Sequence, residues 1–348
     1  MTQILGSKEL MAQVRNKDLC TACGGCVGLC PYHKAYKGKI AMTFDCDMAE
    51  GRCYAHCPKT ETDFEALSQR LFESEYKGTP LGTYRRITAA KAGPKMAGDR
   101  FQNGGTVSAL MTLALENSLI DAAVLTGKDG IVPEPKIVTE AADVVKCAST
   151  KYMAAPTVAC LNEGAGQGYT NMGIVGTPCQ LTAVAQMRLN PLNKADFKDI
   201  TALTVGIFCT WALDTRKFLD FLKQRVDTQK ITSMDVPPPP AEIFVVKTAD
   251  ETIEIPLDEI RAMVPNGCSI CPDMTAEWSD LSVGAFEGKP GWNVLVVRTE
   301  KGGKLVDQAV EAGYLVLDDF PEESLQHLNL GAGNKKKRAQ ENAERMDS

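Results

Sequence analysis

Seven of the chain's thirteen cysteines (Cys20, Cys23, Cys26, Cys30, Cys46, Cys53 and Cys57) fall between residues 20 and 57, and this crowding constrains the fold more than any other feature. The segment is also rich in Gly and Pro, with too few periodic apolar positions to bury a core of its own, so it must fold around something. Cysteine content over the whole chain is well below that of a disulfide scaffold. The start, MTQILGSKELMAQVRNKD, lacks the apolar stretch of a secretory signal. These features together predict a cytoplasmic protein whose reduced thiols serve as metal ligands. The full 348 residues, 44% of them hydrophobic, leave ample chain beyond residue 60 for a sizeable core. A net charge of -6 argues against a nucleic-acid partner, which would need a basic surface to neutralise phosphates. No run approaches the ~18 apolar residues of a membrane span. The single basic run, Lys335 to Arg338, sits in a polar stretch and reads as solvated.

The spacing of the seven cysteines narrows the metal chemistry. Cys20-x2-Cys23-x2-Cys26-x3-Cys30-Pro31 is the run of bacterial ferredoxins, in which three thiolates hold one iron-sulfur cluster and the fourth crosses to a neighbour. Gly24, Gly25 and Gly28 suit backbone amides that wrap closely around inorganic sulfides. The return half, Cys46-x6-Cys53-x3-Cys57-Pro58, supplies three cysteines where a symmetric ferredoxin would supply four. Cys20, Cys23, Cys26 and Cys57 therefore form a complete 4Fe-4S site. Cys30, Cys46 and Cys53 form a second site, resembling that of seven-iron ferredoxins, which takes 3Fe-4S, or 4Fe-4S with Asp47 or His56 as fourth ligand. The competing metal is zinc, for which C-x2-C pairs are also used, but zinc sites rarely have the interleaved Cys-Pro ending.

Beyond this module the pattern changes. Residues 61–80 read as a short helix and linker. From Gly104 onward apolar positions alternate between helical and strand periods: helix from Val107, strand Ala122 to Leu125, strand Ile174 to Gly176, helix Thr177 to Arg188, strand Leu203 to Phe208 and helix Asp214 to Gln224. After a stiff Val236 to Pro240 linker come a hairpin (Ile243 to Val246, Thr252 to Ile255), a helix near Leu257 to Met263, and a final strand and helix near Val294 to Val297 and Gly303 to Ala312. The expected fold is α+β: a ferredoxin-like iron-sulfur module over residues 1–60, a linker helix over 61–80, a mixed α/β flavin-binding body over 81–330, and a polar tail over 331–348 expected to be disordered. Gly164-x-Gly166-x-Gly168 precedes a strand instead of following one, so it reads as a loop and not as a dinucleotide fingerprint.

Four further cysteines stand in turn-like contexts: Cys179 in Gly176-Thr177-Pro178-Cys179-Gln180, Cys209 after an apolar strand, and the pair Cys268-x2-Cys271. They have the makings of a third four-thiolate site assembled from distant segments, with Cys179 near a helix N-terminus that favours thiolate. Cys147 and Cys160 lack such partners and read as small buried apolar residues.

Several motifs, in order, resemble the beta-subunit family of coenzyme F420-reducing hydrogenase and coenzyme F420-dependent dehydrogenases. They are the ferredoxin run, Phe101-Gln102-Asn103-Gly104-Gly105-Thr106-Val107-Ser108-Ala109-Leu110, Ser149-Thr150-Lys151-Tyr152, Gly176 to Gln180, and Cys268-x2-Cys271-Pro272-Asp273 followed by Glu277-x2-Asp280-Leu281-Ser282-Val283-Gly284. The resemblance spans roughly residues 20–320. It implies an iron-sulfur flavoprotein oxidoreductase subunit in which FAD passes electrons between a two-electron carrier, such as coenzyme F420 or NAD, and one-electron clusters. The implied partners are hydrogenase, formate dehydrogenase or heterodisulfide-reductase-type subunits, or ferredoxin. It also implies that Cys179, Cys209, Cys268 and Cys271 hold a 4Fe-4S cluster and that Asn103, Gly104, Gly105, Thr106, Ser108, Thr150, Lys151, Tyr152 and Thr177 line the flavin. Gly104-Gly105 before a helix offers amides to a pyrophosphate, the Thr106 and Ser108 hydroxyls add donors, and Lys151 offers a cation for phosphate or reduced flavin. The alternative is a relay and docking subunit without flavin.

Overall fold

A computed structural model describes residues 3–99, 101–192, 197–238 and 240–347. Pro239 of the expected linker, Met1 and Thr2 of the first module, and Ser348 of the tail lie outside them. In chain order the strands are β1 (His33–Tyr36), β2 (Lys39–Met42), β3 (Arg86–Ala92), β4 (Ala122–Asp129), β5 (Val132–Val138), β6 (Met172–Gly176), β7 (Thr201–Ile207), β8 (Ile231–Asp235), β9 (Ile243–Thr248), β10 (Thr252–Pro256), β11 (Leu281–Ala285), β12 (Asn293–Val297) and β13 (Leu315–Asp318). Eight of them form one mixed sheet in the order β13-β3-β12-β11-β7-β6-β4-β5. Within it β4, β6, β7 and β11 are parallel, and β3 runs the same way because β12 is antiparallel to both β3 and β11.

Alternation of apolar residues sends adjacent side chains to opposite faces, and helices cover both. Ala123, Leu125, Val205 and Leu295 pack with Leu110, Met111 and Leu113 of helix Thr106–Glu116 and with Leu305 and Val306 of helix Glu300–Glu311. On the other face Ala122, Val124, Met172 and Ile174 pack with Val158 and Leu161 of helix Thr157–Gln167 and Leu181 and Val184 of helix Pro178–Leu189. Each such leucine or valine contributes about 1.5–3 kcal/mol by burial, so this two-sided core is what fixes the strand ends on which the site depends. A second antiparallel sheet, β10-β9-β8, packs Phe244 against Phe218 of helix Thr215–Lys223. The N-terminal segment contributes only the β1–β2 hairpin, short helical turns and a small cluster around Leu10, Val14 and Leu19.

The mixed α/β expectation holds, and two local expectations are corrected. The Gly164 to Gly168 run is no loop: it closes helix Thr157–Gln167, with Gly168 as its C-cap. Within residues 61–80, read as a short helix and linker, the helix is Phe64–Phe72, capped by Asp63, whose Oδ1 accepts from the Ala66 amide at 2.9 Å. The tail is not disordered, because helix Glu322–Asp347 runs through it with Ala332, Lys335 and Ala339 buried. Leu328, Ala332, Lys335, Ala339 and Asn342 recur at helical spacing, a stripe too weakly apolar to register as amphipathic. Lys335 is accordingly buried and not solvated.

Candidate functional site

The segment Cys20 to Cys57 is held against the body by its backbone. The Val158 amide donates to the Cys23 carbonyl at 3.0 Å, Asn162 Nδ2 donates to the carbonyls of Gly25 (3.3 Å) and Val27 (2.6 Å), and Gln186 Nε2 donates to that of Cys57 (2.8 Å). Gly24 sits at φ +91°, and a Cβ there would stand 2.6 Å from the Pro156 carbonyl oxygen. The glycine needed by a cluster loop is thus also needed for the loop to lie flat on helix Thr157–Gln167. Asn162 and Gln186 escaped sequence reasoning because nothing beside them in the chain marks the distant carbonyls of Gly25, Val27 and Cys57 as their partners.

The cysteine thiols influence one another electrostatically, both within and between the groups expected from the sequence. Burial raises the Cys26 pKa far above the thiol range, with Cys57 and Cys20 adding to it, while Arg15 opposes them and its Nη1 lies 3.4 Å from Cys20 Sγ. Burial pushes Cys57 up to about 12, Cys20 contributing. Burial, then Cys30, and later Cys46, push Cys53 up to about 11. In the body, Cys179 and Cys271 raise Cys268 to about 11 after burial, and Cys209 is raised by burial and by all three of the others against Lys335. The two regions meet at Cys23, whose pKa burial raises first and Cys179 next, and Thr21 hydrogen-bonds to Cys179 across the seam. Cys26 and Cys53 interact in the same way. These couplings run in turn from Cys30, Cys46 and Cys53, through Cys20, Cys26, Cys57 and Cys23, to Cys179, Cys209, Cys268 and Cys271.

Topology explains the body group. Cys179 follows β6 in the first turn of helix Pro178–Leu189, opened by a capping box of Thr177 and Gln180, and Cys209 follows β7. Both leave the carboxyl edge of the parallel strands, where α/β sheets place their ligands. Cys268 and Cys271 arrive on the turn Asn266–Ser269, and the Cys209 amide donates to the Met274 carbonyl at 2.9 Å. Burial keeps these thiols protonated unless a positive charge, such as that of a bound metal, joins them. Among the described residues no three Cys, His, Asp or Glu side chains converge to hold a single metal ion. A multinuclear cluster differs from a zinc ion in placing each thiolate on its own iron. His56 Nε2 donates to the Asn190 carbonyl at 3.1 Å, burial lowers its pKa to about 4, and Nδ1 is buried without a partner, while Asp47 is exposed beside Cys46.

The candidate flavin residues divide. Gln102 joins two of the segments: its Oε1 accepts from the Thr150 amide at 2.8 Å and its Nε2 donates to Asp235 Oδ1 at 2.9 Å. Tyr152 reaches the same carboxylate at 3.3 Å and accepts from the Val236 amide at 3.1 Å. Asn103 and Thr150 are exposed at this junction. Gly104, Thr106 and Ser108 are instead buried. The Thr106 amide donates to Asn293 Oδ1 at 3.3 Å, its hydroxyl lacks a partner, and Gly105, at φ +74°, leaves room for the Phe101 ring. Lys151 gives its ammonium hydrogens to the carbonyls of Cys147, Ala148 and Ser149, and burial lowers its pKa to about 8. Thr177 stands with the body thiols, its Oγ1 3.4 Å from Cys179 Sγ. Gln102, Asp235 and Asn293 were missed from sequence, since nothing local marks a residue whose partner lies more than a hundred positions away. A concavity of about 220 Å³ lined by Arg85, Arg86, Glu300 and Lys304 opens at the opposite sheet edge and touches none of these residues.

Residues 87–162 match the family described as coenzyme F420 hydrogenase/dehydrogenase, beta subunit N-term, and residues 169–323 match the C terminus of the same beta subunit. The chain is 29% identical over 274 residues to the coenzyme F420 hydrogenase subunit beta of Methanothermobacter thermautotrophicus, covering 75% of this chain and 95% of that one. It is 28% identical over 321 residues to an F(420)H(2) dehydrogenase subunit of Methanosarcina mazei, covering 89% and 88%. A chain of the F420-reducing [NiFe] hydrogenase complex from Methanosarcina barkeri superposes with a TM-score of 0.71 at 26% identity, covering 76% of this chain and 93% of that one. No helix among the described residues is long and apolar enough to cross a membrane.

Proposed function

The chain belongs to the coenzyme F420 hydrogenase/dehydrogenase beta-subunit family of oxidoreductases that act within complexes, and from that premise we propose that it is a cytoplasmic iron-sulfur flavoprotein subunit joining a two-electron carrier to a one-electron partner. The observation that supports this reading is the run of electrostatic couplings among the cysteines, which crosses between the groups at Cys26–Cys53 and Cys23–Cys179. Cys179, Cys209, Cys268 and Cys271 hold one 4Fe-4S cluster, and Cys20, Cys23, Cys26 and Cys57 hold a second. Cys30, Cys46 and Cys53 hold the outermost, 3Fe-4S or 4Fe-4S, with Asp47 or His56 Nδ1 as the remaining ligand in the second case. FAD, when bound, supplies the exchange between paired and single electrons.

The residues of the chain position and shield. The thiol residues are half-buried, with Cys53 buried, and this limits the water that reaches the path between them. The exposed junction of Gln102, Asn103, Thr150 and Tyr152 receives the flavin. Lys151 orders that loop through its three carbonyls, and Gly104, Gly105, Thr106 and Ser108 set the start of helix Thr106–Glu116 behind it. The two-electron carrier is coenzyme F420, NAD or a similar molecule, and the partner is a hydrogenase, formate dehydrogenase or heterodisulfide-reductase-type subunit, or ferredoxin.

Anaerobic purification with iron, sulfide and FAD tests this. About eleven or twelve irons per chain, with flavin released on denaturation, is the expected result. Iron near four per chain would reject the three-cluster reading, and a full iron complement without flavin would leave a relay subunit.

A further inference from the structure

Lys335 is 5% exposed, on a helix whose other buried positions are small. Its Nζ donates to the Cys209 carbonyl at 2.6 Å and to the Asp273 carbonyl at 2.7 Å. It forms no ion pair with a carboxylate among the described residues. The Asp273 side chain is turned away to the amides of Thr275 and Glu277, each at 2.9 Å. Two carbonyl oxygens do not neutralise a buried ammonium, and an uncompensated one costs several kcal/mol. What faces it there is the site itself, since the Cys209 carbonyl that it holds belongs to one of the four cysteines that supply the thiolates.

Its position is fixed on both sides. Lys336 Nζ donates to the Thr79 carbonyl at 2.7 Å and stands 3.6 Å from Glu277 Oε1, and about two turns along the same face from Lys335 Asn342 Nδ2 donates to the Ser269 carbonyl at 3.1 Å, on the turn that bears Cys268. Helix Glu322–Asp347 is thus latched across the segment from Ser269 to Glu277, and almost all of it lies beyond residue 323, where the family match ends.

We propose that Lys335 is the built-in counter-charge of the Cys179, Cys209, Cys268 and Cys271 site, holding the anionic cluster there and raising the potential at which it accepts an electron. The proposal rests on the iron-sulfur reading above. One-electron reduction takes a four-thiolate 4Fe-4S cluster from a dianion to a trianion, with no proton moved. A fixed cation nearby stabilises the trianion more than the dianion, and the dry surroundings leave that difference little screened. The helix therefore sets the driving force for transfer between the body and the N-terminal groups.

The test is a mediator-coupled redox titration of the full-length, anaerobically purified protein, followed by low-temperature EPR, with iron counted in parallel. The body signal is the one that Cys268→Ala removes. In Lys335→Gln the reduction equilibrium of that signal falls at least tenfold, 59 mV more negative for one electron, while Lys335→Arg stays within threefold of wild type. An unchanged potential in Lys335→Gln, or an equal shift in Lys335→Arg, overturns the proposal. If Lys335→Gln loses the body irons outright, retention by Lys335→Arg supports it and loss by Lys335→Arg overturns it. A wild-type protein with no signal that Cys268→Ala removes overturns the iron-sulfur reading of the body site itself, which separates the two failures.

Discussion

In the N-terminal segment Cys20, Cys23 and Cys26 meet because two residues separate each pair, whereas in the body Cys179, Cys209 and Cys268 meet because β6 and β7 end at one sheet edge and a distant turn folds over them. The charges that accompany them follow the same division. Arg15 lies beside Cys20 in sequence and in space, but Lys335 reaches Cys209 across 126 positions. A ligand set made by spacing needs little fold of its own and borrows a surface. A set made by topology is only as good as the core that holds its strands in register. The N-terminal region therefore depends on its docking contacts, and the body on its own core.

The largest expected effect breaks the body set. Cys268→Ala removes about four irons and destabilises the protein by more than about 4 kcal/mol, since the metal cross-link between two strand ends and the Asn266–Ser269 turn is lost. Cys46→Ala, at a partly exposed loop, loses no more iron and lowers the melting temperature far less. Iron analysis and thermal unfolding of both variants check this, and equal destabilisation would erase the contrast.

Docking of the N-terminal segment is tested next. Gly24→Ala places a Cβ at positive φ against the Pro156 carbonyl and costs about 2–4 kcal/mol. Gly130→Ala, at φ +56° with nothing within 4 Å, pays only the backbone strain of about 1–2 kcal/mol. Denaturant unfolding separates the two, and equal losses would mean that the close approach to helix Thr157–Gln167 carries no energy.

A smaller effect follows from the hydrogen bonds across the same seam. Asn162→Ala leaves the Gly25 and Val27 carbonyls without their donor and costs about 1–2 kcal/mol. Amide exchange should speed up in residues 20–30 and stay unchanged in β7 and β11. Faster exchange throughout the sheet would show that the seam and the core unfold as one unit.

The smallest concerns the charged layer beneath helix Glu322–Asp347. Burial, then Asp273, raise the Glu277 pKa from 4.5 to about 7, against Lys336 and Arg298. A carboxyl with a raised folded pKa contributes stability that is full below about 4.5 and is lost as pH rises to about 7. Glu277→Gln does not titrate, so its melting temperature should gain on wild type between pH 4.5 and 7 and run parallel above that. A constant difference across the range would place the group in water.

Much of the candidate site was legible because its signals are short-ranged. The run Cys20 to Cys30 stands out by spacing within a few residues, and helix Pro178–Leu189 announces itself by Thr177, Pro178 and Gln180, since capping acts within one turn. Strands β3, β5 and β13 were not legible. Val132-Pro133-Glu134-Pro135 breaks the strand pattern at an edge position, where proline is tolerated because no neighbour needs its amide. Asn293 and Gln102 could not be read either, because their partners are supplied by other strands and loops.

The sequence by itself determined that the N-terminal segment crowds its cysteines at ferredoxin-like spacing and that a layered α/β body follows. Only the tertiary structure decided that Gly24 serves a docking surface as well as a loop, and that the C-terminal stretch is a helix whose buried lysine holds the Cys209 carbonyl. Spacing and capping are encoded between near neighbours, so they survive in the linear text. The burial of Lys335 is different. Polar residues enter a low-dielectric interior only when opposite charge and acceptors from remote segments meet them there, and that compensation exists only once the chain has folded.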